Sequence, residues 1–292
     1  MLPPEFLVVG HVVQDLLSDA SGGDDWRPGG AATYCSLLAQ RLGLRTALLT
    51  AAAPDLPLED LLPGVEVVRA PSDVSTQIRN VYTERGRVQY IPQRAAGIDA
   101  AALPDAWREA EIVLLGPMVA EIDPAIVSSF SRALIGVSAQ GYLRDIAADG
   151  RVRPLSPERW RAGPLLQPSH VLTVSDEDLD PAEARRWLND WSDRVRIVAF
   201  TRGERGAEVC HHGVWRHIDA FPAASLDPTG AGDIFAAAFL VRYRETGDTW
   251  EAARFASCAA SFIVEGAGQD ATPDRPMIDA RLAEHPEIVA AD

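Results

Sequence analysis

At 292 residues the chain is long enough to bury one large core, and 47% hydrophobic with 24% charged residues is the balance of a globular protein. A net charge of −15 argues against nucleic acid and anionic membrane as partners. None of the 27 basic residues is a lysine, which excludes a P-loop and Schiff-base chemistry and leaves backbone N–H groups, arginine or metal to hold any phosphate. Cys35, Cys210 and Cys258 are far apart and form no pair motif, as fits a reducing compartment. With no basic segment ahead of an apolar leader and no apolar run of about 18 residues, the expected location is the cytoplasm.

In chain order, Phe6 to Gly10 (FLVVG) predicts a buried first strand. His11, Asp15 and a Gly/Asp-rich turn from Ser21 to Asp25 follow. Pro28-Gly29-Gly30-Ala31-Ala32 leads into a helix over Thr33 to Leu42, closed by Gly43. Thr46 to Ala53 and Val65 to Arg69 predict strands. Val74 to Ile91 reads differently: Thr76, Ile78, Asn80 and Tyr82, then Val88 and Tyr90 beyond a Glu-Arg-Gly turn, predict a hairpin projecting from the main body. Strands follow at Ile112 to Leu115, Leu134 to Val137, Val171 to Val174 and Arg196 to Thr201. Helices are predicted between them over Pro124 to Ala133 and Pro181 to Trp191. Arg151 to Pro168, with four prolines, reads as a surface loop. Val209 to Ile218 predicts a second hairpin, and helices start from Asp233, Trp250 and Pro276. This alternation implies an α/β fold with a mostly parallel sheet, helices on both faces and ligands at the carboxyl ends of the strands.

Asp227-Pro228-Thr229-Gly230-Ala231-Gly232-Asp233-Ile234-Phe235 reads as a tight turn entering a helix. Its glycines let a ligand approach peptide N–H groups, and a helix N-terminus suits a phosphate. Asp233 in the first turn would not help to bind an anion, but it suits a base taking a proton from a hydroxyl that attacks one. Taken alone, Gly-Ala-Gly-Asp is more often an ordinary helix start than a site.

The longer string, Asp-x-Thr-Gly-Ala-Gly-Asp-x-Phe, resembles the second signature of the PfkB (ribokinase-like) carbohydrate kinases, and the resemblance covers nearly the whole chain. It implies a ribokinase-like three-layer sandwich forming a single domain over 1–292, with a small β lid from about 11–27 and 74–94. It implies Asp233 as catalytic base and the Gly230, Ala231 and Gly232 backbone as anion hole. Asp15, Gly29 and Gly30 fall where the family borders its sugar, and Gln140 is expected beside them. Tyr34 stands where an asparagine usually contacts the sugar. Thr201-Arg202-Gly203 with Gly206 resembles the nucleotide-binding Thr-x-Gly-x-x-Gly, and Ser175 is expected at the same end. Ala259, Phe262 and Gly266 to Gly268 fall where the family encloses adenine. Asp178 stands in place of the Asn-x-x-Glu glutamate that serves magnesium, while Asp227 and Thr229 fall where many members bind a potassium-type cation. The spelling is closer to the inositol-kinase-like branch than to ribokinase proper.

The resemblance therefore implies ATP and Mg²⁺ as cofactors, a small sugar or polyol as substrate, and a homodimer through the lid. A nucleoside kinase of the same fold, or a non-catalytic sensor, remains open at this point. Arg144 is expected to pair with Asp145. His11 is open between a substrate contact and a solvated histidine. His211, His212 and His217 are assigned to a hairpin surface, since no carboxylate or cysteine pattern completes a metal site.

Overall fold

Phe6, Leu7, Val8 and Val9 are all fully buried, so the first strand is covered on both faces, as its unbroken apolar run predicts. Phe6 and Val8 join the core on one side of the sheet and Leu7 and Val9 the core on the other. The computed structural model describes residues 2–17, 25–83, 86–160, 162–266 and 268–291. Most of the Gly/Asp-rich turn, most of the Glu-Arg-Gly turn, the Tyr82 side chain and Ala267 lie outside the described residues.

The chain runs β1 (Phe6–Val9), β2 (Val13–Leu16), β3 (Trp26–Gly29), α1 (Ala31–Arg41), β4 (Thr46–Ala52), α2 (Leu58–Leu61), β5 (Glu66–Pro71), β6 (Thr76–Thr83) and β7 (Gly86–Gln93). It continues with β8 (Ile112–Leu115), β9 (Leu134–Ser138), β10 (Arg144–Ile146), β11 (Val152–Pro154), α3 (Gly163–Leu166), β12 (Val171–Ser175), α4 (Ala184–Ser192) and β13 (Ile197–Thr201). It closes with β14 (Ala207–His211), β15 (Val214–Ile218), α5 (Ala231–Thr246), α6 (Thr249–Ile263) and α7 (Arg275–Glu284).

Among the described residues the main sheet has nine strands, ordered β15-β14-β13-β12-β9-β8-β1-β4-β5. Every neighbour from β13 to β5 pairs parallel, and the β14–β15 hairpin adds an antiparallel edge. The chain leaves β1 toward β4 on one side and returns to β8 on the other, so strand order reverses at β1. A crevice opens at such a switch point, beyond the carboxyl ends of the strands. A second, four-stranded sheet, β3-β2-β6-β7, stands over that end. Its β2–β6 pair is parallel and its other pairs antiparallel. Architecture and lid sheet are those of the ribokinase-like fold.

Two predicted elements differ. Pro124 to Ala133 is not an α-helix: a 3₁₀ segment, Pro124–Ser129, starts behind an Asp123 cap and stops at Phe130, which is extended and buried. Ile126, Val127, Ser128 and Ser129 are modest helix formers, so burial of Phe130 decides the ending. The expected loop of 151–168 contains β11 and α3. Val152 of β11 packs with Ile146 against Val13, Ile78, Ile91, Met118 and Val119, which brings the β10–β11 hairpin to the base of the lid.

Candidate active site

Helix α5 starts from Gly230, its N-cap, at φ 86, a left-handed conformation that suits glycine. A Cβ there would also lie 2.9 Å from the Tyr34 ring, so α1 and the turn before α5 fit only because the side chain is absent. Around Gly232 the same test meets nothing within 4 Å, so the first turn opens into free space. The first N–H groups of a helix lack intrahelical partners, and here they face a cavity. The turn is a cradle for an anion.

Asp233 lies one residue further on. Burial foremost pushes its carboxyl up to about 7, Asp178 and Asp15 add to the rise, and the Arg144 guanidinium opposes it. The Cys35 thiol donates to the Asp233 carbonyl oxygen at 3.3 Å, which anchors its backbone to α1. A carboxyl near 7 beside an anion cradle is suited to accept a proton at neutral pH. The acid limb of kcat/KM is expected to fall tenfold per pH unit below about 7 and to level off above it, as a pH–rate profile would read. A limb near the ordinary carboxylate range would contradict this environment.

One cavity of about 920 Å³ connects these groups. At the β1–β8 end it is lined by Asp15, Gly30, Tyr34, Met118, Gln140 and Arg144. The lid contributes Ile78, Asn80 and Gln89 there, and Gln89 Nε2 donates to Asn80 Oδ1 at 2.9 Å. Past the cradle, Ser175, Thr201, Gly203 and Gly206 line it at the ends of β12 and β13. The far end is walled by Phe221, Pro222, Ala223, Ala260 and Val264, with Ser257 and Ser261 supplying hydroxyls. A cleft with a polar end, an anion cradle and a mostly apolar end suits two substrates meeting at Asp233.

The profile of the pfkB family carbohydrate kinases matches residues 171–275. A nucleoside kinase of Methanothermobacter thermautotrophicus is 30% identical over 264 residues, covering 84% of this chain and 81% of the relative. The chain belongs to the pfkB family. It is therefore a kinase of the ribokinase type, and an enzyme. A cytidine kinase of Thermococcus kodakarensis is 26% identical, covering 82% of this chain and 88% of that one. In fold, the chain resembles a pyrophosphate-dependent myo-inositol-1 kinase converted by mutation into a myo-inositol-3 kinase, with TM-score 0.79, 22% identity and coverage of 96% and 99%.

Several residues expected to form a pfkB site stand off the cavity. Gly29 lies under the Asp15 carboxylate, where a Cβ would be 2.4 Å from Oδ2, so it makes room for Asp15 rather than bordering the cavity. Ala259 is fully buried in the core on the other side of α6 from the cavity, and its neighbour Ala260 reaches the lining. Gly266 packs on Ala271. Asp178 caps its own turn, accepting the Ser175 N–H at 3.0 Å, and lines a smaller adjoining hollow. Burial pushes its carboxyl up, with the Ser175 N–H and Arg144 opposing.

Asp227 is held by Arg27 Nη2 at 2.8 Å and by the Thr229 N–H at 3.0 Å. Burial raises its pKa, but the Thr229 groups and Arg27 outweigh that, so the carboxyl sits below its ordinary value. The place expected for a monovalent cation thus already carries a guanidinium, donated by β3 of the lid sheet.

Arg144 corrects the expected ion pair with Asp145. In β10 the pleat turns Asp145 outward, where it meets Arg159 at 3.7 Å. Arg144 points into the cavity and donates to Met118 Sδ at 2.9 Å. His11 is neither solvated nor a cavity residue: it is 1% exposed, and its ring bonds Thr76 Oγ1 and the Ala96 carbonyl, each at 2.8 Å. Asn80, Gln89 and Arg144 are among the polar cavity side chains that sequence reasoning missed. Only the period-2 alternation of β6 and β7 could have flagged the first two.

Proposed function

We propose that this protein transfers the γ-phosphoryl group of ATP to a hydroxyl of a small sugar or polyol, with Asp233 as base. The observation that carries the proposal is the half-buried Asp233 carboxyl, shifted to about 7, at the mouth of an open helix N-terminus in a cavity shared with Asp15. Asp15 orients the acceptor through its hydroxyls. The reacting hydroxyl gives its proton to Asp233 as its oxygen bonds to the γ-phosphorus. The bond from that phosphorus to the β–γ bridging oxygen breaks, and ADP leaves with the electron pair. The N–H groups of the Gly230 to Gly232 turn and the Arg144 guanidinium face the charge that develops on the phosphoryl oxygens. The lid sheet keeps water, a competing acceptor, away from Asp233.

No group of three or more His, Cys, Asp or Glu among the described residues could hold a metal by itself. Magnesium keeps its waters and binds mainly through phosphates; Glu177 in the cavity lining and Asp178 in the adjoining hollow are the carboxylates that would hold those waters. When bound, the ion would supply neutralisation of the phosphate charge. The apolar end beyond the cradle supports a purine nucleotide, rather than bare pyrophosphate, as donor.

For the acceptor, Asp15, Asn80, Gln89 and Gln140 form a hydrogen-bonding wall that suits a ring bearing many hydroxyls. Tyr90, an aromatic that could stack on a base, is not part of that wall: it follows Gln89 on β7, and successive strand residues face opposite sides. The nucleoside reading stays as second because the nucleoside and cytidine kinases are the sequence relatives described above. Initial rates of phosphate transfer to myo-inositol, fructose, ribose, cytidine and adenosine, from ATP or pyrophosphate, separate these readings. A polyol or sugar preferred at least about tenfold in kcat/KM over either nucleoside supports the first. The reverse order, or pyrophosphate as the better donor, overturns it.

A further inference from the structure

Two buried titratable side chains stand outside the reaction described above, His11 and Glu121, with Nδ1 and Oε1 3.9 Å apart and both side chains fully buried. Glu121 carries the more specific geometry. Its Oε1 accepts the Met118 N–H at 2.8 Å and the His11 N–H at 3.2 Å, and its Oε2 accepts the Val119 N–H at 2.7 Å. Burying a carboxylate is unfavourable unless several donors satisfy it, and three backbone donors do so here. The turn it closes is strained, since Ala120 is a non-glycine residue at φ 52.

That turn bears directly on the cavity. Met118 lines its acceptor end, and the Met118 carbonyl and Sδ accept from Arg144 Nη1 at 3.4 and 2.9 Å. The backbone leading to Arg144 is pressed on the same turn: a Cβ on Gly141 would lie 2.1 Å from the Pro117 carbonyl oxygen. Arg144 shares the main cavity lining with Asp233 and the adjoining hollow with Asp178, and its charge lowers the pKa of both. Contacts therefore run from Glu121 through Met118 to Arg144, and the Arg144 charge reaches the base.

We propose that Glu121 is a positioning residue for phosphoryl transfer: by gripping the Met118 and Val119 amides it holds Met118 as the bracket that sets the Arg144 guanidinium beside Asp233. The proposal rests on the reading of Asp233 as the base. In Glu121→Gln one carboxylate oxygen becomes an NH₂ that confronts an N–H donor, so the turn loosens while the side chain keeps its size. We expect kcat to fall about tenfold with KM for ATP within about twofold, and the same replacement in an Arg144→Gln background to cost less than about twofold, because the bracket then holds nothing. Met118→Leu keeps the volume and removes the sulfur acceptor. It should lower kcat by about threefold, again only when Arg144 is present, and it serves alone if Glu121→Gln does not fold.

Losses that multiply across the Arg144→Gln background would overturn the proposal. So would full kcat in Glu121→Gln with only a lower melting temperature, or full kcat in Met118→Leu. An active Asp233→Asn enzyme would instead remove the functional reading on which the proposal stands. An inactive Asp233→Asn enzyme together with multiplying losses removes only the positioning role.

Discussion

The Asp233→Asn protein is expected to fold, bind ATP and turn over roughly 10²–10⁴-fold more slowly than the wild type. Asparagine fills the same space but accepts no proton, so the change isolates the base from the cradle beside it. The same substitution should stabilise the protein at high pH. Burial raises the Asp233 pKa from 3.8 to about 7. Folding therefore favours the protonated carboxyl, and the stability linked to it is fully present below 3.8 and lost as pH rises through about 7. The rise from 3.8 to about 7 corresponds to at most roughly 4 kcal/mol at pH 8, reduced by the water that reaches this half-buried carboxyl from the cavity. Thermal melts should thus place Asp233→Asn above the wild type at pH 8, with the gap narrowing toward pH 5. A variant that is both active and no more stable at pH 8 would show that the carboxyl is neither base nor buried charge.

Gly230→Ala should lose activity for a different reason. A left-handed alanine costs about 1 kcal/mol, a strain that the fold can bear. Its methyl group, however, would press on the Tyr34 ring at 2.9 Å, and either α1 or the cradle must move. Because α1 is buried from Ala31 to Ala39, the cradle is the softer partner. Displaced N–H donors no longer meet the phosphoryl oxygens, and kcat is expected to drop on the order of 10²-fold, the usual effect of losing such a donor. Adding Tyr34→Ala should recover part of that loss by removing the obstructing ring. Gly230→Ala with kcat within about threefold of the wild type would mean that the turn does not act as the anion hole.

The part of this site that could be read from sequence is the part written locally. Asp227 to Phe235 encodes a turn, a helix start and a carboxyl within one short stretch, and α5 begins where that stretch predicts. The parallel strands were legible because burial on both faces writes unbroken apolar runs such as FLVV. The lid hairpin was legible from its alternation. What stayed hidden depends on tertiary packing. Arg144 looks like the partner of its neighbour Asp145 until β10 pairs with β11 and the pleat separates them. Glu121 resembles a surface acid, and only the fold brings three amides onto its carboxylate, those of Met118 and Val119 in the turn before it and that of His11 from just beyond β1. Arg27 and Asp227 are 200 residues apart in sequence and meet only when the lid sheet stands over the cradle. The cavity wall of Asn80 and Gln89 needs the β6–β7 register before its side chains can be assigned a face.

The most direct test of the central claim is ADP release from ATP and magnesium at pH 8, measured against a panel of inositols, hexoses, pentoses and nucleosides. The wild type and Asp233→Asn would be run side by side. The account predicts acceptor-dependent release by the wild type, strongest with a sugar or polyol, that disappears in Asp233→Asn while ATP binding persists. Acceptor-dependent release of similar rate from both proteins would contradict it.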